Sequence, residues 1–374
     1  MRNIFKICAV VGMFVALVSS SYAITGSTPQ GHIYQLTKST QITSNEAQPT
    51  HPFIVPLVGV VQVPPSKVPM KAYYLEVNSA QTNSNDNHST AFDSKHLMWG
   101  IFSRATGSIA PHYNLLPSQS YGVGVQPSVI STGTNGYFIE VNSTQGAQAI
   151  QAYLMHVTDQ KSQIKLQIIS NINIGRGSDP SISSIGDDYY LVVCNSTNNT
   201  LAAYIFKETN ISISEPNIIK TYANGNTPAI VSLGNGKFLE TNNSYFSGVD
   251  YYLLSASKDN ITESPLVPSG SIARGGIINP YSNVKLLPVN IAGTSSDTKS
   301  ILDSYSMPSP ENGLWSRVLS YKNNILSVEA PYKYARSGSD ATIAPFLNGG
   351  GILEINTNMI GSSSGISLFG SLLY

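Results

Sequence analysis

A chain of 374 residues with 21 basic and 21 acidic side chains has zero formal net charge, and charged residues make up 11% of it. That balance, with no basic stripe, argues against nucleic acid as a partner, and two cysteines cannot build a disulfide framework. Packing and strand ladders must supply the stability, and a fold of this size buries roughly 75% of the unfolded surface without staples.

The first 23 residues have the pattern of an export signal. Arg2 and Lys6 form a positive n-region, residues 7–18 are apolar, and Ser21-Tyr22-Ala23 puts small residues at the −3 and −1 positions of a cleavage site. The apolar run is too short for a comfortable membrane span, and no later stretch approaches about 18 unbroken apolar residues. Cys8 falls inside the signal. The expected mature protein is a soluble, exported chain, periplasmic or extracellular, with no membrane insertion. It occupies residues 24–374 as one domain and keeps Cys194 as its single cysteine.

Residues 31–37, with His32-Ile33-Tyr34-Gln35-Leu36 among them, read as a strand that belongs to no complete unit. From residue 51 onward one short phrase recurs. A polar residue, usually followed by proline, opens an apolar strand. A turn follows, and then a second strand reads aromatic or apolar, Leu or Ile, Glu, Val, Asn. The clearest copies run from Gln126-Pro127-Ser128-Val129 to Asn135-Gly136-Tyr137-Phe138-Ile139-Glu140-Val141-Asn142, and from Thr227-Pro228-Ala229-Ile230 to Asn235-Gly236-Lys237-Phe238-Leu239-Glu240-Thr241-Asn242.

The openers in chain order are His51, Gln126, Asp179, Thr227, Asn279 and Asp340, and all but Asp340 precede proline. Proline suits the start of a strand, where no ladder donor is lost. Gly124, Gly177, Gly225, Gly276 and Gly338 lie just upstream of openers. The third place of the second strand holds Glu76, Glu140, Val192, Glu240, Pro288 and Glu354, and the fifth holds asparagine except at Cys194. A third strand carries one aromatic in each unit: Trp99, Tyr153, Tyr204, Tyr252, Tyr305 and Phe369. Fourth strands are less regular, and 165–169 and 218–222 fit the role.

A period of roughly 50 residues made of short strands predicts an all-β fold, a β-propeller. Six units predict six blades. The strand at 33–36 is expected to pair with 368–372 and close the ring, shielding an edge that otherwise invites aggregation. The longer stretch 308–336 leaves room for a seventh blade, with 315–319 and 325–329 as its strands.

The cadence Gly-x-x-Pro-[Ser/Ala]-[Val/Ile], then Asn-Gly-x-x-[Ile/Leu]-Glu, resembles the repeats of secreted bacterial β-propellers of the lectin type. The likeness covers residues 120–260 well and the rest loosely. It implies glycan-binding pockets repeated between blades, although those propellers tend to carry a tryptophan in each repeat and this chain has only Trp99 and Trp315. Ser178-Asp179-Pro180-Ser181-Ile182, followed by Asp187-Asp188-Tyr189-Tyr190-Leu191, is similar to the first-blade motif of five-bladed arabinanase-type glycosidases, where the aspartate before proline is the general base. That likeness implies inverting hydrolysis by two carboxyl groups about 6.5–9.5 Å apart, with Asp179 and Asp340 as the pair. As one copy of a repeat, Asp179 also has a purely structural reading.

Two sets of polar residues are therefore candidates. Strands nearest the axis of a propeller line its channel, so the openers His51, Gln126, Asp179, Asn279 and Asp340 crowd one mouth, with Arg176 and Arg336 just before the two aspartates. They form either a hydrogen-bonded plug or a ligand site. The glutamates of the second strands are either buried carboxylates accepting hydrogen bonds from the backbone of the next blade or a ring of acceptors for sugar hydroxyls. The turns of sialidase-type propellers, Ser-x-Asp-x-Gly-x-Thr-Trp, do not occur. Gly361-Ser362-Ser363-Ser364-Gly365 matches a nucleophile-elbow pattern but sits between two strands, not between a strand and a helix. The histidines show no ligand spacing, so no metal is expected, and no cofactor motif is present. The function expected is a binding module for glycans or another polar surface on a cell or protein. The alternatives are a glycosidase-like enzyme and a protein-interaction scaffold.

Overall fold

The computed structural model describes residues 33–35, 40–41, 50–57, 71–81, 95–105, 111–144, 149–160, 163–196, 199–209, 211–244, 248–266, 282–289, 298–307, 313–328, 332–333, 339–345, 351–360 and 363–373. The expected export signal (residues 1–23), Asn279 and Arg336 lie outside them. Among the described residues the strands form six antiparallel sheets, here blades 1–6. Blade 1 is Thr50–Pro56, Lys71–Gln81, Lys95–Ala105 and Pro111–Val123. Blade 2 is Val125–Ser131, Tyr137–Ser143, Ala149–Gln160 and Gln163–Arg176. Blade 3 is Ser178–Gly186, Tyr189–Asn195 and Thr200–Thr209, its outer edge shared by Ser212–Ile213 and Ile218–Asn224.

Blade 4 is Asn226–Gly234, Lys237–Ser244, Gly248–Ser257 and Asn260–Leu266. Blade 5 is Ser282–Val289, Lys299–Met307 and Gly313–Lys322, with Ile325–Val328 and Tyr332–Lys333 outside. Blade 6 is Ser339–Pro345, Gly351–Ile360 and Ser363–Leu373, completed by the N-terminal strands Ile33–Gln35 and Thr40–Gln41. The first strand of each blade touches the first strand of the next, and that of blade 6 returns to that of blade 1. This closed cycle of radial meanders is a β-propeller, with the first strands around the axis.

The period-2 alternation of the second and third strands explains how blades stack. In blade 2, Phe138 packs in a core shared with blade 1, whereas Ile139 and Val141 pack in a core shared with blade 3. In blade 4, Phe238 joins Leu191, Val193 and Ile205 of blade 3, whereas Leu239 joins Ile301 and Leu319 of blade 5. The core thus consists of apolar layers between neighbouring blades. Phe238 is fully buried in one of them, and Phe238→Ala should cost about 3–5 kcal/mol, read as a lowered midpoint in urea unfolding with the m-value unchanged.

The turns are equally local. Asn235-Gly236, Asp187-Asp188 and Asn323-Asn324 all have positive φ, between 52° and 68°, as two-residue hairpin turns require, and Asn, Asp and Gly tolerate it best. Every first strand also carries an irregularity at its opener. The ladder to the second strand skips between Val125 and Ser128, Ser178 and Ser181, and Asn226 and Ala229, and between the matching residues of blades 1, 5 and 6. Gln126-Pro127, Asp179-Pro180 and Thr227-Pro228 are the bulged pairs.

The ring closes as the sequence predicts: Ile33 pairs with Leu373, Tyr34 with Leu372 and Gln35 with Ser371, and Thr40 pairs with Leu368. The described residues of 308–336 form no sheet of their own. Their strands Gly313–Lys322, Ile325–Val328 and Tyr332–Lys333 belong to blade 5.

Blade 5 corrects the sequence reading. Pro288 lies on its first strand, not its second, and Tyr305 lies on its second strand, not its third. Asp303 pairs with Leu286 just as Glu240 pairs with Ile230, so Asp303 holds the acidic place. The skip falls between Ser282 and Lys285, which makes Asn283, not Asn279, the register equivalent of Asp179. Asn279-Pro280 misled because an Asn-Pro pair copies the opener's composition, while the true bulge of this blade lacks proline.

Candidate functional site at the mouth of the ring

The openers of three consecutive blades stand at the start of axis-lining strands with positive φ: Gln126 at 58°, Asp179 at 52° and Thr227 at 45°. For a β-branched threonine this is an outlier, and such backbone costs on the order of 1–3 kcal/mol per residue. The bulge imposes it, and the following proline holds each opener away from the helical region.

The sequence-predicted residues Gln126 and Asp179 come together across the seam between blades 2 and 3. The Gln126 amide donates to Asp179 Oδ1, and Gln126 Oε1 accepts from the Asp179 backbone N–H at 3.1 Å and from Ser143 Oγ at 3.2 Å. Ser178 Oγ donates to Asp179 Oδ2 at 3.0 Å. In blade 4 the Asn243 amide donates to Thr227 Oγ1. The first strands of blades 3 and 4 are tied directly, because Ile230 N donates to Ser181 Oγ at 3.2 Å. The mouth is therefore a band of amide, carboxylate and hydroxyl groups, half-buried at Gln126, Asp179 and Thr227.

Arg176 does not join it. Its side chain is exposed, and the ion pairs among the described residues are Lys220–Glu263 and Lys258–Asp259. Arg176 contributes backbone instead, its carbonyl accepting from Tyr204 Oη at 2.9 Å and from Cys194 Sγ at 3.8 Å. The side chains of His51 and Asp340, and all of Asn279 and Arg336, lie outside the described residues. Sequence reading passed over Thr227, Ser143 and Ser178 as site residues, although Thr227 carried the same opener-proline signal as Asp179. Among the described residues no three His, Cys, Asp or Glu side chains converge on a metal position.

The second candidate set is interior. Glu76, Glu140 and Glu240 are at most 1% exposed, and Asn78, Asn142 and Asn242 are fully buried. Within each strand the asparagine lies two residues on, on the same face, and donates its amide to the carboxyl: Asn78 to Glu76 at 2.8 Å, Asn142 to Glu140 at 3.1 Å and Asn242 to Glu240 at 3.3 Å. The Glu-x-Asn signature is thus an internal pair, with the donor on the same strand where sequence reading placed it on the backbone of the next blade. Burial pushes the Glu140 carboxyl up to about 8, against the lowering bond from Asn142, and holds Glu240 well above the ordinary range.

The upstream glycines belong to the same unit. A Cβ on Gly124 or Gly225 would collide with the side-chain oxygen of Asn142 or Asn242, and one on Gly177 would stand 2.6 Å from Cys194 Sγ. Tyr153 and Tyr204 are 8% and 5% exposed, so neither offers an open stacking face. Of the Gly361–Gly365 pattern, residues 363–365 are described and lie on a strand whose Ser363 pairs with Ile360.

No family model matches the sequence, and no curated protein matches it in sequence. The fold is shared with solved structures. An α-L-arabinanase of Penicillium chrysogenum, solved with arabinobiose, is 11% identical over 89% of this chain and 98% of its own, with a TM-score of 0.52. An α-L-arabinofuranosidase of Fusarium graminearum, solved with an iminosugar inhibitor, is 10% identical over 89% and 97%, with a TM-score of 0.53. A sialidase of Trypanosoma rangeli, solved with sialic acid, is 10% identical over 91% of this chain and 59% of that one, with a TM-score of 0.50. At these identities the likeness is one of fold.

Proposed function

We propose that this protein is an exported propeller that binds a glycan or a comparable polar, uncharged surface at the mouth formed by Gln126, Asp179 and Thr227. One observation carries the reading. Three neighbouring blades each hold a polar opener in a costly left-handed bulge, and two of these openers are bonded to one another across a seam. Strained backbone persists where surrounding structure over-determines it, and such positions cluster at ligand clamps. The amide, carboxylate and hydroxyl groups gathered there suit sugar hydroxyls, which both donate and accept. Burial of the glutamates and asparagines, and of Tyr153 and Tyr204, moves the expected contact from pockets between blades to the mouth. The fold shared with proteins that hold arabinobiose and sialic acid supports a sugar-related ligand.

Binding without turnover is the expected behaviour, because Asp179 already serves Gln126 and Ser178 as an acceptor. A glycan array on residues 24–374, followed by titration calorimetry on any ligand found, tests the reading, with arabino-oligosaccharides and sialosides as the first probes. One such site should bind near millimolar, about −4 kcal/mol. Asp179→Asn should weaken binding by roughly 10- to 100-fold, the worth of a hydrogen bond to a charged group. If the protein instead cleaves a glycan and Asp179→Asn slows cleavage by about 10²–10⁴, the mouth is a hydrolase site. If neither binding nor cleavage depends on Asp179, the openers are structural. Export itself predicts that the protein leaves the cytoplasm with residues 1–23 removed, which mass spectrometry of the exported fraction would show.

A further inference from the structure

Phe138, Glu140 and Asn142 face blade 1, and Phe238, Glu240 and Asn242 face blade 3. Into each of these seams the fourth strand of the preceding blade sends a tyrosine, Tyr121 or Tyr222, five residues before the openers Gln126 and Thr227. Each meets the third-strand tyrosine edge-on. Tyr121 and Tyr153 have ring centroids 6.2 Å apart at 89°, and Tyr222 and Tyr252 are 6.2 Å apart at 76°. Tyr153 and Tyr252 are in turn the cross-strand partners of Glu140 and Glu240. The two seams are therefore copies of one arrangement.

Each seam encloses the same three oxygens without a protein partner: the phenol Oη of Tyr121 or Tyr222, Oε1 of Glu140 or Glu240, and Oδ1 of Asn142 or Asn242. Among the described residues, the titratable groups beside Glu140 are Tyr121 and Tyr153, with Glu76 beside Tyr121. Those around Glu240 are Tyr222, Tyr252 and Asp250, with Cys194 and Glu263 beside Tyr222. Among the described residues the cation in contact with these groups is Lys220, which is paired with Glu263. An ionised carboxylate in such a seam would lack a countercharge and would leave one oxygen without a donor.

The seam between blades 2 and 3 supplies a comparison within the same chain. Ile174 stands in the tyrosine's place, Val192 in that of the glutamate and Cys194 in that of the asparagine, and all three are buried in one apolar cluster. The polar members are exchanged as a set. That is the pattern of groups whose burial is tolerable only together.

We propose that the seams between blades 1 and 2 and between blades 3 and 4 are proton-locked: Glu140 and Glu240 stand in them as neutral carboxylic acids, and loss of those protons loosens the propeller along these two seams but not along the seam between blades 2 and 3. The sign follows from linkage. The raised carboxyl holds its proton in the folded state, whereas the unfolded chain releases it near the ordinary value of 4.5. Stability is therefore greatest below that pH. It declines as pH rises, until Glu140 ionises at about 8, and Glu240, whose carboxyl burial also raises, adds to the decline. Within the window each carboxyl lowers the folding constant roughly tenfold per pH unit.

The test is urea unfolding of residues 24–374 between about pH 5 and 9.5 at constant ionic strength, with hydrogen exchange at the two extremes. The wild-type folding constant should fall with pH as stated, and Glu140→Gln/Glu240→Gln should remove about two protons from the slope. Protection at alkaline pH should be lost first in 119–123, 137–143, 218–224 and 237–244, and kept in 190–194. The apolar set of the middle seam, grafted as Tyr222→Ile/Glu240→Val/Asn242→Cys, should fold more stably than Glu240→Val alone. An unchanged pH slope in the double glutamine variant, or equal loss of protection in the middle seam, overturns the proposal. The glutamine pair carries the test even if the graft does not fold.

Discussion

Deleting residues 24–40 should lower the unfolding free energy by about 3 kcal/mol or more, taking roughly 0.5–1.5 kcal/mol for each lost ladder hydrogen bond. The deletion removes the partners of Leu373, Leu372, Ser371 and Leu368. It leaves Ser363–Leu373 as the outer strand of blade 6, where an open edge pairs readily with another chain. The loss should appear as a lower midpoint in urea and as concentration-dependent light scattering at temperatures where the full chain stays clear. A truncated protein with the same midpoint and no scattering would mean that blade 6 holds without its N-terminal strand.

Gly177→Ala should be strongly destabilising, by about 2–6 kcal/mol. Gly177 has φ of +154°, and its new Cβ would lie 2.5 Å from Asn195 O and 2.6 Å from Cys194 Sγ. The first neighbour is backbone, held in the ladder of blade 3 through the Ser178–Asn195 pair, so it cannot swing aside. Overpacking of this kind costs about 1–3 kcal/mol, and an unfavourable φ adds on the order of 1–3 kcal/mol. Gly177 also precedes the Ser178-Asp179 pair, so the strain should reach the mouth. The variant should lose both thermal stability and any ligand affinity that depends on Asp179, whereas Gly133→Ala, whose added Cβ meets nothing within 4 Å, should change neither. Equal stability of the two variants would show that blade 3 yields at Gly177 and that the glycine is not required.

The sequence by itself determined the propeller. Openers, hairpin turns and the alternation of Phe138-Ile139-Glu140-Val141-Asn142 are local signals, and local chemistry repeated at a fixed period leaves few other ways to bury two faces of every strand. The unpaired strand at 33–36 and the short last blade were also legible together, because an incomplete unit at each end of a repeat array has one natural completion. Blade 5 was misread for a related reason. Asn279-Pro280 has the composition of an opener, and only the ladder, which pairs Leu286 with Asp303, fixes the register of a strand.

The tertiary structure alone decided which polar residues face inward. Glutamate and aspartate stand at repeated places in the sequence with nothing to rank them, yet Glu140 and Glu240 are sealed between blades while Asp179 is half-buried at the mouth. The difference arises from contacts far apart in sequence. Tyr121 and Tyr222 cover the glutamates from the neighbouring blade, and the bulge at Asp179 turns its side chain toward Gln126, which lies 53 residues away. Burial is a property of the stacked ring, and no single repeat carries it.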